Sequence, residues 1–71
     1  MSTQIRKRFG SRVRELRLQK KMLQGDLAYK VGIRESYVSS IETGAKEPCL
    51  EVIQMLAKGL GVSLRQLFWD L

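Results

Sequence analysis

The chain has 71 residues, with 13 Lys and Arg against seven Asp and Glu, a net charge of +6 and a pI near 10.0. A chain this short forms one small domain, residues 1–71, of marginal stability, because it buries only about 60% of its unfolded surface. The single Cys49 excludes an intramolecular disulfide, and with no histidine in the chain we expect no zinc or other metal site. The positive charge favours a polyanionic partner, either nucleic acid or an anionic membrane surface.

Several functional classes do not fit this sequence. No apolar run could span a bilayer and no signal-peptide pattern follows Met1, so we expect a cytoplasmic protein with a reduced cysteine. The chain offers no histidine, no nucleophile–base pair and no obvious paired carboxylates. We therefore expect no enzymatic activity and no cofactor. Because the chain is predicted to have no second domain, we also expect no small-molecule effector.

The first predicted helix runs from Ile5 to about Lys20. Ile5, Phe9, Val13 and Leu16 recur at helical spacing and predict a core-facing stripe. Eight of the thirteen basic residues lie in the first twenty-one positions. The faces of the helix that carry these basic residues are either simply solvated or lie along a sugar–phosphate backbone. A membrane-surface helix fits less well, because the apolar stripe is narrow and is needed for the core.

The stretch from Gln24 to Gly44 holds two helical blocks of apolar residues separated by a sharp turn, where Gly32 can take a positive φ. The second block presents short polar side chains on the face opposite its apolar residues. A helix of this kind, held in a helix-turn-helix scaffold, is suited to enter a DNA major groove. The apolar residues are Leu27, Ala28 and Val31 in the first block, and Val38 and Ile41 in the second.

Two more helices and an apolar tail complete the prediction. A fourth helix runs from Leu50 to about Leu60, and Ser63 with Gln66 predicts the capping box of a short fifth helix. Large apolar side chains cluster at the end of the chain and either mark a dimer contact surface or fold back over the core. A dimer would also relieve the marginal core. The predicted interface residues are Leu60, Leu64, Phe68 and Trp69.

Together these motifs resemble the phage-repressor and Cro-type, or lambda-repressor-like, helix-turn-helix transcriptional regulators, over roughly Phe9 to Phe68. The resemblance implies a compact all-α domain of five helices with the helix-turn-helix at about 24–43. Within the family, the LAYK run and the SYVSSIE stretch are similar to restriction-modification controller proteins. The residues that carry the resemblance are Gln24, Leu27, Ala28, Gly32, Ile33, Ser36 to Ser39, Ile41, Glu42, Gly44, Pro48 and Leu60 to Ser63.

The first inter-helix turn departs from the family pattern. Lys21 stands where the family usually has glycine, and Leu23 stands where it has a Ser or Thr N-cap. Because a leucine side chain cannot accept a hydrogen bond, the second helix is expected to start loosely, at a cost of about 0.5–2 kcal/mol. Asp26 in its first turn partly offsets this loss through the helix dipole.

The recognition helix is expected to run from Arg34 to Thr43, and the chemistry of its exposed residues indicates their roles. Arg34 pairs with guanine or only with a phosphate, and Glu35 either accepts a hydrogen bond from cytosine N4 or pairs with Arg34. Three serines are short enough to let the helix lie deep in the groove. The predicted base-reading residues are therefore Arg34, Glu35, Ser36, Ser39 and Ser40.

Phosphate contacts are expected around this helix. Gln24 either is solvated or, as in the family, contacts a phosphate and braces the recognition helix, and Tyr37 is either a phosphate contact or purely structural. The resemblance further pairs Arg17 with Glu42 between the first helix and the recognition helix. The predicted phosphate-binding residues are Arg12, Arg14, Gln24, Tyr37 and Lys46.

The leading functional hypothesis is a sequence-specific regulator of transcription that binds double-stranded DNA as a homodimer. Each recognition helix would read one half-site of a palindromic operator, with the half-sites about 34–36 Å apart. The alternative is an antitoxin-type protein-interaction module that also binds DNA, although the long partner-binding tail of such proteins is missing here. RNA binding would need more exposed aromatic residues than Tyr37 near the basic face.

Overall fold

A computed structural model describes residues 2–71 of the chain, and the side chains from residue 4 onward. Within this range the protein is all-α, which confirms the predicted five-helix fold. The first helix begins three residues earlier than the apolar stripe predicts. The helices are α1 Ser2–Gln19, α2 Gln24–Val31, α3 Glu35–Thr43, α4 Leu50–Leu60 and α5 Leu64–Leu67.

All five helices meet at one hydrophobic core. Each helix contributes one side chain that is completely inaccessible to solvent: Val13, Leu27, Val38, Leu56 and Leu67. Full burial of a side chain of this kind stabilises a fold by about 1.5–3 kcal/mol. The short α5 is therefore an integral part of the core rather than an appendage.

One residue of the predicted core stripe lies at the surface and not in the core. Phe9, on the stripe of α1, is buried as expected, but 44% of Ile5 is exposed. Ile5 lies one turn before Phe9 and lines an apolar groove that no other part of the described chain fills. The residues that line this apolar groove include Ile5, Phe9, Pro48, Leu50, Ile53 and Phe68.

A glycine lets α1 approach the backbone of α3. A β-carbon on Gly10 would lie 2.6 Å from the carbonyl oxygen of Glu42 and would also overlap the carbonyl oxygen of Ile41. The larger side chains that pack most helix pairs are therefore excluded at this crossing. Beyond it, Arg6 Nε donates a 3.1 Å hydrogen bond to the carbonyl oxygen of Gly44, where α3 ends. The C-terminal half of α3 is thus supported from behind by α1.

The turn between α2 and α3 has the predicted form. Gly32 adopts a left-handed conformation with φ of 85°, and its N–H donates a 2.8 Å hydrogen bond to the carbonyl of Ala28. The chain then passes through an extended Arg34 into α3, which ends at Gly44 with φ of 82°. These two left-handed glycines delimit the helix-turn-helix at the predicted position.

The turn between α1 and α2 contains the two departures from the family pattern. Lys21 adopts φ of 58°, a left-handed conformation that costs a non-glycine residue about 1–2 kcal/mol. Leu23 is the N-cap of α2 and its side chain makes no capping hydrogen bond. Asp26 compensates for the missing cap by a hydrogen bond as well as through the helix dipole, because its carboxylate accepts the backbone N–H of Leu23 at 2.8 Å.

Within residues 2–71, no helix combines the length and the apolar character that a membrane-spanning segment requires.

Candidate nucleic-acid interface

The outer face of α3 is polar and composed of short side chains, whereas its inner face is buried. Val38 and Ile41 are at most 1% exposed and anchor the helix in the core. The predicted base-reading residues occupy the other side of the helix. Arg34, Glu35 and Ser36 are exposed, and Ser39 and Ser40 are half-buried.

A shallow concavity adjoins this face and brings several of the predicted residues together. The loop after α3 folds back so that the N–H groups of Ala45 and Lys46 both donate to the carbonyl oxygen of Ser40, at 2.9 and 3.1 Å. This places the exposed Lys46 beside α3. The residues that line the concavity are Ile33, Arg34, Ser36, Tyr37, Ser40 and Lys46.

Tyr37 has the structural role that was considered for it, and its phosphate contact stays a prediction. Its half-buried side chain packs against the hydrophobic core, as a structural residue would. The same side chain lines the concavity between Arg34 and Lys46. Among residues 4–71 its hydroxyl has no hydrogen-bond partner, so the donor remains available to a ligand.

The predicted pair of Arg17 and Glu42 is present and buried. Arg17 Nε and Nη2 donate to the two carboxylate oxygens of Glu42 at 2.7 and 3.1 Å, and the two side chains are only 7% and 2% exposed. The remaining terminal nitrogen of Arg17 donates to the carbonyl oxygen of Met22 at 2.6 Å. One guanidinium therefore links α1, the turn after it and α3.

Gln24 joins this network at the start of α2. Its side-chain Nε2 donates to Glu42 Oε1 at 3.0 Å. This contact confirms that Gln24 braces the recognition helix, and it excludes a side chain that is merely solvated. The predicted phosphate contact of Gln24 stays a prediction.

Arg12 has a different role from the predicted one. Its Nε and Nη2 donate to the carbonyl oxygen of Gln66 at 3.0 and 2.7 Å, and its Nη1 pairs with Glu15 at 3.0 Å. Arg8 makes a similar bond to the carbonyl oxygen of Asp70 at 2.6 Å. Arg12 thus bonds to a carbonyl of α5 and Arg8 to a carbonyl three residues beyond it, and both link the C-terminal segment, residues 66–71, to α1. The guanidinium of Arg12 therefore links α1 to α5 and is not available as a phosphate contact.

Arg14 remains accessible, in contrast to Arg12. It is exposed, and it follows Gly10 by one helical turn. It lines a shallow surface depression on α1 with Ser11, Glu15, Leu18 and Gln19.

The carboxylate of Glu35 lies beside the start of α2 and is not paired with the guanidinium of Arg34 among residues 4–71. A β-carbon built on Gly25 would be 3.2 Å from Glu35 Oε1, so the carboxylate rests against this glycine. The ion pairs of residues 4–71 do not include one between Arg34 and Glu35, which removes that prediction for the free protein. Arg34 is the extended N-cap of α3, whereas Glu35 begins the helix and points toward α2.

A helix-turn-helix family model, HTH_3, matches residues 13–67. The chain belongs to this helix-turn-helix family. It is similar to the control protein C.BamHI of Bacillus amyloliquefaciens, with 38% identity over 68 residues that cover 94% of this chain and 84% of that protein. The control protein C.MunI of Mycoplasma sp is 35% identical over 68 residues, covering 94% of this chain and 92% of that protein.

Solved structures extend the same likeness to three dimensions. The restriction-modification controller protein C.AhdI of Aeromonas hydrophila has a TM-score of 0.85 and 40% sequence identity, covering 87% of this chain and 94% of that chain. The region matched by the family model, residues 13–67, contains α2 to α5 and the last part of α1.

The buried pair generates a stability prediction. Glu42→Ala leaves the guanidinium of Arg17 buried without its carboxylate, and we expect the free energy of unfolding to fall by about 3–5 kcal/mol. Replacing both residues, as in Arg17→Met with Glu42→Leu, should cost less than the sum of the single changes. Urea unfolding of the wild-type protein, Arg17→Met, Glu42→Leu and the double variant measures this coupling, and Glu42→Ala is measured beside them.

Glu15→Ala is the matched control, since Glu15 pairs with an arginine but its side chain is 56% exposed. Its loss should cost less than about 1 kcal/mol, as exposed pairs do. A loss for Glu42→Ala no larger than that of the control would contradict the structural role of the buried pair.

Proposed function

We propose that the protein is a sequence-specific regulator of transcription that binds double-stranded DNA as a homodimer on a palindromic operator. The observation that carries this proposal is the polar outer face of α3, held rigidly on a buried framework beside an exposed lysine. A short-side-chain helix on such a framework fits the major groove, where base pairs present distinct donors and acceptors. The control and controller proteins among its relatives support the regulatory role.

Base reading is assigned to the exposed start of α3 and its serines. Arg34 carries the donors that suit guanine O6 and N7, and Glu35 carries the acceptor that suits cytosine N4. Ser36, Ser39 and Ser40 have hydroxyls that reach base edges or phosphates without holding the helix away from the groove.

Phosphate binding is assigned to groups around α3. Lys46 and the hydroxyl of Tyr37 border the concavity beside it. Arg14 extends the positive charge along α1, and the start of α2 at Gln24 supplies backbone N–H donors. Arg12 is not among these groups because its guanidinium is bonded to Gln66.

The homodimer is assigned to the apolar groove and the adjoining end of the chain. Leu64, Phe68 and Trp69 are 47%, 42% and 65% exposed, which is a high exposure for large apolar side chains. Phe68 packs on Phe9 with ring centroids 5.2 Å apart and lines the groove with the 84% exposed Leu50.

Leu60 was also expected at the interface, and that prediction is wrong. It is only 2% exposed because it lies in the core of the protomer, so it has almost no surface to offer a partner.

DNA binding is tested by a salt titration on duplex DNA selected from a random pool. If about six phosphates are contacted, log K should fall against log salt with a slope near −5. Lys46→Gln should make this slope less negative by about one for each protomer whose Lys46 contacts a phosphate. Lys58→Gln removes the same charge from an exposed position on α4 and should leave the slope unchanged. Failure to enrich any duplex sequence would overturn the proposed function.

Self-association is tested by placing charge on the proposed interface. The double substitution Leu50→Glu with Leu64→Glu should produce monomers in sedimentation velocity, because desolvating paired carboxylates across a two-fold interface is costly. Leu23→Glu is the control, since Leu23 is 73% exposed but lies at the start of α2. An unchanged dimer in the double variant would place the interface elsewhere.

A further inference from the structure

The end of the chain presents two large aromatic side chains on very little regular structure. The last helix, α5, has four residues, whereas an isolated helix needs about 12–15 residues to be stable in water. Leu67 anchors this helix in the core, because its side chain is completely inaccessible to solvent. Phe68 and Trp69 follow in a turn, and Asp70 then adopts a left-handed conformation with φ of 62°. Trp69 is 65% exposed, so burial contributes little to holding it in place.

Two arginines of α1 bond to the C-terminal segment on either side of these aromatic residues. Arg12 Nε and Nη2 donate to the carbonyl oxygen of Gln66 at 3.0 and 2.7 Å, and Arg8 Nη2 donates to the carbonyl oxygen of Asp70 at 2.6 Å. The two arginines are four positions apart and therefore project from the same face of α1. The aromatic pair lies in the sequence between the two bonded carbonyls, so both of its ends are connected to one helix.

The carbonyl of Gln66 connects Arg12 directly to Trp69. The same oxygen accepts the backbone N–H of Trp69 at 3.2 Å. The side chain of Arg12 is only 16% exposed, and hydrogen bonds from a charged donor are stronger than those between neutral groups. Trp69 also borders a shallow depression that Arg8 and Arg12 line. The backbone of Trp69 is thus held by guanidinium groups more than by burial.

We propose that Arg8 and Arg12 are positioning residues for self-association, which hold Phe68 and Trp69 in the arrangement that the partner subunit binds. This inference rests on the homodimer of the proposed function, in which these aromatic side chains form part of the interface. A surface that is ordered before it binds loses less conformational entropy on association, and its affinity is higher for that reason. Neither arginine contacts the partner in this role.

The proposal divides the basic residues of α1 between two tasks. Arg14 is exposed, and among residues 4–71 it has no hydrogen bond or ion pair, which leaves its charge for a phosphate. The guanidinium groups of Arg8 and Arg12 are instead directed to carbonyls of their own protomer. Their loss should consequently weaken DNA binding only by lowering the population of dimer.

The test compares wild-type protein with Arg8→Met, Arg12→Met and the double variant in sedimentation velocity over a concentration series without DNA. Methionine keeps an unbranched side chain and removes the donors. The dimer dissociation constant of the double variant should rise about 10- to 100-fold, because both copies of the C-terminal segment must then become ordered on association. Arg12→Lys keeps a charged donor and should recover part of the loss. A wild-type dissociation constant in the double variant would overturn the proposal.

Lys20→Met is the control for loss of charge. Lys20 is exposed and lies eight residues after Arg12, just beyond the end of α1. Its dimer dissociation constant should equal that of the wild-type protein. A rise as large as that of Arg12→Met would show that net charge, and not the bond to Gln66, determines self-association, and the positioning role would be refuted.

The monomer provides a second readout, because Trp69 is the only tryptophan of the chain. Time-resolved fluorescence anisotropy at concentrations below the dissociation constant should show a larger amplitude of fast local motion in Arg8→Met and Arg12→Met than in the wild-type protein. Circular dichroism checks that the helices are intact. If the double variant loses helix, Arg8→Met decides, because its bond reaches a carbonyl beyond the last helix. Unchanged motion of Trp69 in Arg8→Met would contradict the proposal.

Operator binding separates this role from a phosphate contact. At protein concentrations above its dimer dissociation constant, the double variant should show the wild-type dependence of log K on log salt, since no phosphate contact is lost. A slope less negative by about one for each substituted arginine would show that they bind phosphates, and would refute the positioning role. Wild-type protein that stays monomeric at every concentration would refute the homodimer itself and the positioning role with it. A wild-type dimer that the arginine variants leave intact would refute the positioning role alone.

Discussion

The buried contact between Arg17 and Glu42 is the interaction on which the arrangement of the helices depends. The contact is bidentate and almost inaccessible to solvent. Hydrogen bonds from Arg17 to the carbonyl of Met22 and from Gln24 to Glu42 extend it to the start of α2. Pairs of this kind position helices more reliably than they stabilise them, because desolvation offsets much of the attraction. In a chain of 71 residues with one small core, such a directional contact orients α3 relative to α1.

The other contacts of α3 act on its two ends. Gly10 brings α1 against the backbone of its last turns, and Arg6 bonds to Gly44 just beyond them. At the other end, Glu35 reaches the start of α2 over Gly25. The consequence is a helix that is held along its inner face and at its C-terminus, while the residues at its start are exposed. Rigid support beneath adaptable side chains is the arrangement that base reading requires.

Periodicity, glycine positions and the family resemblance were sufficient to predict the five helices, the helix-turn-helix and the pairing of Arg17 with Glu42. They were insufficient for side chains whose partners are backbone carbonyls of a distant helix. Arg12 bonds to Gln66, 54 positions away, and no charge pattern in the sequence marks that carbonyl. Ile5 was predicted in the core for a related reason, since the position of the apolar groove depends on how α4 and α5 cross α1. Leu60 was predicted at the dimer interface, but its side chain is buried in the core. The contact of Glu35 with Gly25 likewise follows from helix packing and not from spacing along the chain.

The most direct measurement of how α3 meets DNA is dimethyl sulfate protection on a selected operator. This reagent methylates guanine N7 in the major groove and adenine N3 in the minor groove, so one experiment reports on both. With α3 of each protomer in the major groove, guanine N7 atoms should be protected in two clusters about one helical turn apart. Adenine N3 atoms between the clusters should remain reactive. Protection confined to adenine N3, or a single protected cluster, would contradict recognition by two copies of α3 in the major groove.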